Sequence, residues 1–200
     1  MHWRITAFRL IRPTCLHWTY IIRTGAHLKE IAIRAATEAD FGAMWEIFQQ
    51  LIASGDTYYF AADTSREDCH AYWFGPGVQA YVALLNGERL VGMYRLIPNQ
   101  RDRGAHVANA SFMVSPAAQG VGVGKLLGGD CLDRARAQGY LAMQFNYVVS
   151  SNVAAVLLWK KLGFSIVGTL PRAYYHQYLG YVDVYVMYQL LDDPSHWPDA

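Results

Sequence analysis

The plainest chemical implication in this chain lies in Val114-Ser115-Pro116-Ala117-Ala118-Gln119-Gly120-Val121-Gly122-Val123-Gly124-Lys125. An apolar strand runs into a glycine-rich turn, and the turn opens a helix. Such a turn aims several backbone N–H groups at one point, where the helix dipole adds positive potential. Phosphate is the natural ligand, because glycine lets its oxygens approach the backbone and accepts unusual dihedrals. Two common phosphate loops fail on spacing. A Walker A loop needs Gly five residues before Gly124 and Ser or Thr after Lys125, where the chain has Gln119 and Leu126. In the dinucleotide pattern GxGxxG, Lys125 stands where the third glycine belongs.

A second pattern follows about 30 residues on: Asn152-x-x-Ala155-x-x-x-Trp159-x-x-x-Gly163-Phe164. Together with Gln119-x-x-Gly122-x-Gly124, it resembles the GNAT acetyltransferase superfamily over roughly Ile31–Leu191. That resemblance implies acetyl-coenzyme A as co-substrate and direct acetyl transfer to an amine. It implies a V between the strand ending at Val114 and the strand Tyr140–Val149. The pantetheine arm would pair with backbone at Phe112, Met113 and Val114, and an N–H near Phe112 or Met113 would polarise the thioester carbonyl. The backbone of Gln119, Gly120, Val121, Gly122, Val123, Gly124 and Lys125 would hold pyrophosphate. Asn152 would contact the cofactor, although its position at a helix start equally suits a plain N-cap. At position 159 the family usually has a Tyr that protonates the leaving thiolate. Trp159 can donate a hydrogen bond but is no practical acid. A thiol of pKa ~8.5 needs little help near neutrality, so water can complete that step.

The acceptor side lacks an obvious base. The strand Ala105–Val114 carries no carboxylate; it offers His106 and Asn109. The strand Tyr140–Val149 offers Gln144 and Asn146. Strand alternation would bring Asn109, Asn146 and Asn152 together near the V, where they could orient an amine but not act as strong bases. This set, with the phrases around it, is similar to the fungal acetyltransferases that act on proline analogues such as azetidine-2-carboxylate. Tyr58 and Tyr59 are candidate substrate walls, and Arg172 is a candidate partner for a substrate carboxylate. Asp183 could meet a substrate amine, while Cys131 falls on the apolar face of its helix. The expected acceptor is a small-molecule amine. Protein N-terminal or lysine acetylation, and non-catalytic acyl-coenzyme A binding, stay open as alternatives.

These residues need elements to hold them. Phe41, Met44, Trp45, Phe48, Leu51 and Ile52 recur at helical spacing after a cap at Thr37–Asp40. Ser65 opens a second helix that stops at Gly75-Pro76-Gly77. Asn86-Gly87 between apolar runs predicts a hairpin of Gln79–Leu85 with Arg89–Ile97. Helices Gly124–Gln138 and Asn152–Leu162 alternate with strands Tyr140–Val149, Ser165–Thr169 and Val182–Leu191. The expected class is α+β in mixed layers, the GNAT fold: a mostly antiparallel central sheet with a splayed strand pair, flanked by helices.

Composition bounds the rest. The chain has 200 residues, 53% hydrophobic and 16% charged, with a formal net charge of +1. That excludes a disordered chain and argues against a nucleic-acid partner. The 3 cysteines form no CxxC, which suits a cytoplasmic protein without metal. No apolar run is long enough to span a membrane. Residues 1–29 hold Arg4, Arg9, Arg12, Arg23 and Lys29 and no acid, with no clear period. They are expected to be a poorly ordered extension before a catalytic domain at 30–191, with 192–200 a polar tail. Whether the chain pairs as a homodimer is open at this level.

Overall fold

The computed structural model describes residues 9–11, 18–24 and 27–196. Among these the chain order is β1 (Arg9–Ile11), β2 (Trp18–Thr24), β3 (His27–Ala35), α1 (Phe41–Ile52), α2 (Arg66–Phe74), β4 (Gln79–Leu85), β5 (Arg89–Pro98), β6 (Val107–Val114), α3 (Val123–Ala137), β7 (Ala142–Val149), α4 (Val153–Lys161), β8 (Ser165–His176) and β9 (Gly180–Leu190). The strands form one sheet in the order β1-β2-β3-β4-β5-β6-β7-β9-β8. Every neighbouring pair is antiparallel except β6 and β7. This is the mixed, mostly antiparallel architecture expected from the sequence.

Local chemistry explains the elements. Arg34 donates to both carboxylate oxygens of Asp40 at 2.7 Å, and Asp40 also accepts from the Thr37 amide at 2.7 Å. This cap leads into α1, and the Arg34 bonds hold the Asp40 carboxyl down at about 2. Asn86 and Gly87 both take left-handed φ values, 52° and 78°, the geometry of a two-residue turn matched to strand twist. Period-two alternation then divides the core. Met93 and Met113 turn to the layer of α1 and α2, with Phe48 and Trp73. Tyr94 and Leu96 turn to the layer of α3 and α4, with Leu127, Cys131 and Trp159.

Two sequence expectations differ from the structure. The first is the boundary at residue 29. β2 pairs with β3 from Trp18↔Ile33 to Thr24↔His27, and β1 pairs with β2. In place of a poorly ordered extension, these positions add strands to the sheet. The run Thr19-Tyr20-Ile21-Ile22 has the β-branched and aromatic make-up of a strand, and Tyr20 packs on the core. Residues 1–8, 12–17 and 25–26 of that segment lie outside the described residues. Second, β8 continues past Thr169 to His176. Its register against β9 shifts between Leu170 and Tyr174, which takes Pro171-Arg172-Ala173 out of the ladder. Proline cannot donate there, and β8 is an edge strand where such a bulge is tolerated. Within the expected polar tail, Pro194–His196 form a 3-10 turn; residues 197–200 lie outside the described residues.

Candidate active site

The V forms where a ladder ends. β6 and β7 pair only through Val107↔Ala142 and Ala108↔Met143. Beyond that point the next link is a side chain, as Asn109 Nδ2 donates to the Gln144 carbonyl at 2.9 Å. The free edge of β6 follows from strand geometry. The Val107 carbonyl accepts from Asn99 N, and Ser115 N donates to the Val91 carbonyl, so odd-numbered residues turn their backbone to β5. Phe112 and Val114 therefore turn their N–H and C=O groups into the opening. The Phe112 carbonyl is met there by the Tyr58 hydroxyl. Met113 is different: its backbone faces β5, and its side chain is buried beneath α1. Of the two amides that the sequence offered, only that of Phe112 reaches the V.

Two hollows open from this V. A cavity of about 270 Å³ is walled by Tyr58, Tyr59, Tyr72, Arg95, Asn109 and Tyr147, among others. A larger groove of about 760 Å³ runs past Val114, Gln119, Gly120, Gly124 and Leu158. They meet at Tyr58, Phe112, Asn152, Ala155 and Trp159, which line both.

The glycine turn borders the groove. Gly120 has φ 75°, and Gly122 has φ 94° at the N-cap of α3, conformations that an L side chain resists. The first α3 amide to bond within the helix is that of Leu126, to Gly122 O at 3.2 Å. The N–H groups of Val123, Gly124 and Lys125 belong to the open first turn. A Cβ on Gly124 would stand 3.3 Å from Leu158, so this glycine lets α3 and α4 approach closely. Val123 itself is buried in the core, while Val121 and Lys125 are exposed. Across the groove, Asn152 Oδ1 accepts from Ala155 N at 3.1 Å, capping α4 while it lines both hollows. Trp159 is buried against Phe112 and Phe145, each ring 4.7 Å away.

The asparagines meet, but not as the expected trio. Asn109 Nδ2 and Asn146 Nδ2 both donate to Asn99 Oδ1, at 3.3 and 2.8 Å. Gln144 Nε2 donates to Asn146 Oδ1 at 2.7 Å. Asn152 stands apart from this network as a helix cap. The third member is Asn99, directly after the end of β5. Arg172 is a plain correction. It sits in the β8 bulge with φ 52°, its amide donates to Asp183 Oδ1 at 2.9 Å, and it lines neither hollow. Asp183 is thereby occupied with the backbone of β8 and not with the cavity. His106 is exposed and outside both hollows.

The sequence reading passed over Arg95, Tyr72 and Ser111 as site residues. A signal for Arg95 was available: it interrupts the apolar run Leu90–Ile97. Tyr72 and Ser111 come together only in the fold, where the Tyr72 hydroxyl donates to Ser111 Oγ at 2.6 Å. Asp56 and His176 line the groove. His176 Nδ1 accepts from the amides of Tyr178 and Leu179, so that nitrogen has no lone pair left for a substrate proton. Among the described residues the cavity lining contains no Asp, Glu, His or Lys. Burial pushes the Tyr58 and Tyr59 phenols well above their ordinary range, so they act as hydrogen-bond donors near neutrality. Cys131 is fully buried and its thiol is raised; Cys69 is pushed up to about 12, again by burial. Neither thiol lines a hollow.

This arrangement has close counterparts. The family model described as the acetyltransferase (GNAT) family matches residues 41–164. The chain is 33% identical to an N-acetyltransferase of Schizosaccharomyces pombe over 100 residues, 48% of this chain and 47% of that protein. The matched stretch thus spans about half of that relative. Identity to the N-alpha-acetyltransferase RimI of Mycobacterium tuberculosis is 31% over 170 residues, 85% of this chain and 99% of the other. A solved N-acetyltransferase from Kribbella flavida shares 39% identity and a TM-score of 0.77, over 80% of this chain and 97% of that one. The putative acetyltransferase yncA of Salmonella typhimurium, solved with its cofactor acetyl-CoA, shares 25% identity and a TM-score of 0.74, over 85% and 98%. Because the family match runs from α1 through both motif-bearing helices, the chain belongs to the acetyltransferase (GNAT) family.

Proposed function

We propose that the acceptor is the amine of a small molecule, acetylated by direct attack within a ternary complex. The observation that carries this reading is the small size of the cavity together with the aromatic contacts that cross it. It offers about 270 Å³, near the lower end of small-ligand sites. Tyr59 packs edge-on against Tyr147 with centroids 5.7 Å apart, joining the loop after α1 to β7. Tyr147 also donates to the Ala173 carbonyl, and Tyr174 to the Tyr58 carbonyl at 3.2 Å, so β8 braces the same roof. An extended peptide would need that roof parted.

The groove supports acetyl-CoA as the co-substrate and N-acetyl transfer as the activity. Acetyl-CoA supplies an activated thioester; the chain positions it. Open amides at Gly120–Lys125 suit its pyrophosphate, and the free edge of β6 at Phe112 and Val114 suits its pantetheine amides. The Phe112 amide is placed to stabilise charge developing on the acetyl oxygen. Trp159 packs under Phe112 and shapes the junction. None of the asparagine bonds above uses Asn109 Oδ1, which leaves it to accept from the incoming amine. The new C–N bond replaces the C–S bond, the nitrogen's proton passes to water, and the thiolate takes one back. With both described thiols buried, no acetyl-enzyme is needed. Free buried thiols also agree with a cytoplasmic location. Among the described residues no helix is long and apolar enough to cross a membrane.

The similarity to RimI over nearly its whole length is the observation favouring a second reading, acetylation of a protein N-terminus. Thiol release from acetyl-CoA separates the readings. The panel should contain free amino acids, proline analogues, diamines, and peptides with free or blocked N-termini. Turnover of small amines supports the proposal. Turnover of peptides alone gives the second reading, and cofactor binding without any turnover makes the chain a binding module.

A further inference from the structure

Among the described residues, Arg95 is the one charged side chain lining the acceptor cavity. It rises from β5 opposite Ser111, on the same sheet face as the Ile97↔Asn109 pair. Its guanidinium lies flat over Tyr72, 3.4 Å from the ring centroid, and Nη1 donates to the Tyr72 carbonyl at 2.8 Å. Its Nε is buried and has no hydrogen-bond partner. Among the described residues no Asp or Glu forms an ion pair with it. A guanidinium held in an aromatic slot, without a counter-charge and with an orphan N–H, is costly to keep. An anion arriving with the ligand offsets that cost, and the planar fork of Arg suits a carboxylate.

We propose that Arg95 is the anion receptor of the acceptor site and that the acceptor is an amine bearing a carboxylate. The inference rests on the small-amine reading above and narrows it. Ser111, opposite Arg95, is two residues from Asn109, about 7 Å along the strand, so one compact molecule can reach both. The amine meets Asn109 Oδ1 while the carboxylate meets Arg95. The same cation repels acceptors that are only positive, such as polyamines or a lysine side chain. The site thus selects amino acids and their analogues over cationic amines.

The test compares each amino acid in the panel with its carboxamide and with a diamine of similar length, by thiol release. For the wild type we expect the carboxylate form to be favoured by about 100-fold in kcat/KM. Arg95→Gln should bring the ratio close to one without changing the KM for acetyl-CoA, and Arg95→Lys should restore part of it. A wild-type ratio near one overturns the inference, as does a ratio that survives in Arg95→Gln. If Arg95→Gln fails to fold, the wild-type ratio and the Arg95→Lys variant decide alone. No release from any small amine overturns the small-amine reading and this inference together; release indifferent to the carboxylate overturns only the inference.

Discussion

Asn109 stands where β6 and β7 part, and it has two tasks there. Its Nδ2 replaces the ladder hydrogen bond that the splayed strands no longer make, and its Oδ1 is the group proposed to accept from the incoming amine. Asn109→Ala and Asn146→Ala should therefore depress amine acetylation by ~10²-fold while the Kd of acetyl-CoA barely moves. Asn99→Ala should behave alike, because both amides converge on its Oδ1. Normal turnover in these variants would reduce the network to packing. The absence of a carboxylate or imidazole from the cavity lining has a kinetic consequence too. Tyr58 and Tyr59 stay protonated, since desolvation shifts both phenols upward. Log kcat/KM should then rise with roughly unit slope until the acceptor's own amine is deprotonated. An inflection that stays fixed when acceptors of different amine pKa are compared would instead reveal an enzyme base, with the groove residue Asp56 the first to replace.

At the level of elements, the turn from β6 into α3 is the most exacting piece. Gly122 combines φ 94° with the N-cap position of a helix whose first amides are open. Gly122→Asp adds strain at a left-handed position and a negative charge where phosphate oxygens should lie. Cofactor affinity measured by calorimetry should fall by at least ~10²-fold, a loss of about 3 kcal/mol. Circular dichroism should show the fold intact, because the position is at the surface of α3 and not in its core. Unchanged affinity would remove the loop from cofactor binding. The same scale explains why Arg172 misled the sequence reading. A cation three residues beyond a strand end looked free to reach a ligand, but β8 continues past it, and a bulge turns that backbone toward Asp183.

For the whole molecule, the sheet reaches beyond the motif-bearing core. β2 covers the edge of β3 along seven paired positions, and Tyr20 rests on the core. Removal of residues 1–26 would bare that edge while leaving both hollows complete. The expected result is a loss of about 1–3 kcal/mol and a Tm lower by several degrees, with acetyl-CoA affinity unchanged. Thermal melts alongside calorimetry of the truncated chain check this. An unshifted Tm would mean that β1 and β2 add nothing to stability.

What the sequence determined by itself was whatever depends on neighbours along the chain. The glycine spacing at 120–124, the cap and turn signals at Thr37, Ser65 and Asn86-Gly87, and the helical period of α1 each state a local geometry. Together with the downstream Asn152–Phe164 pattern they pointed to the family, the co-substrate and the layer order. The tertiary structure decided what depends on which strands stop pairing. Only the end of the β6–β7 ladder puts Asn109, Asn99 and Asn146 on one amide oxygen, from three separate segments. Only strand parity chooses the Phe112 amide over that of Met113. And only the placement of α2 beside the sheet sets Arg95 over Tyr72 inside the cavity, 23 residues away in sequence, while the bulge carries Arg172 out of reach. Local propensities act over a few residues, whereas a site is assembled from contacts tens of residues apart. The chemistry was therefore legible before the identity of the residues that surround the acceptor.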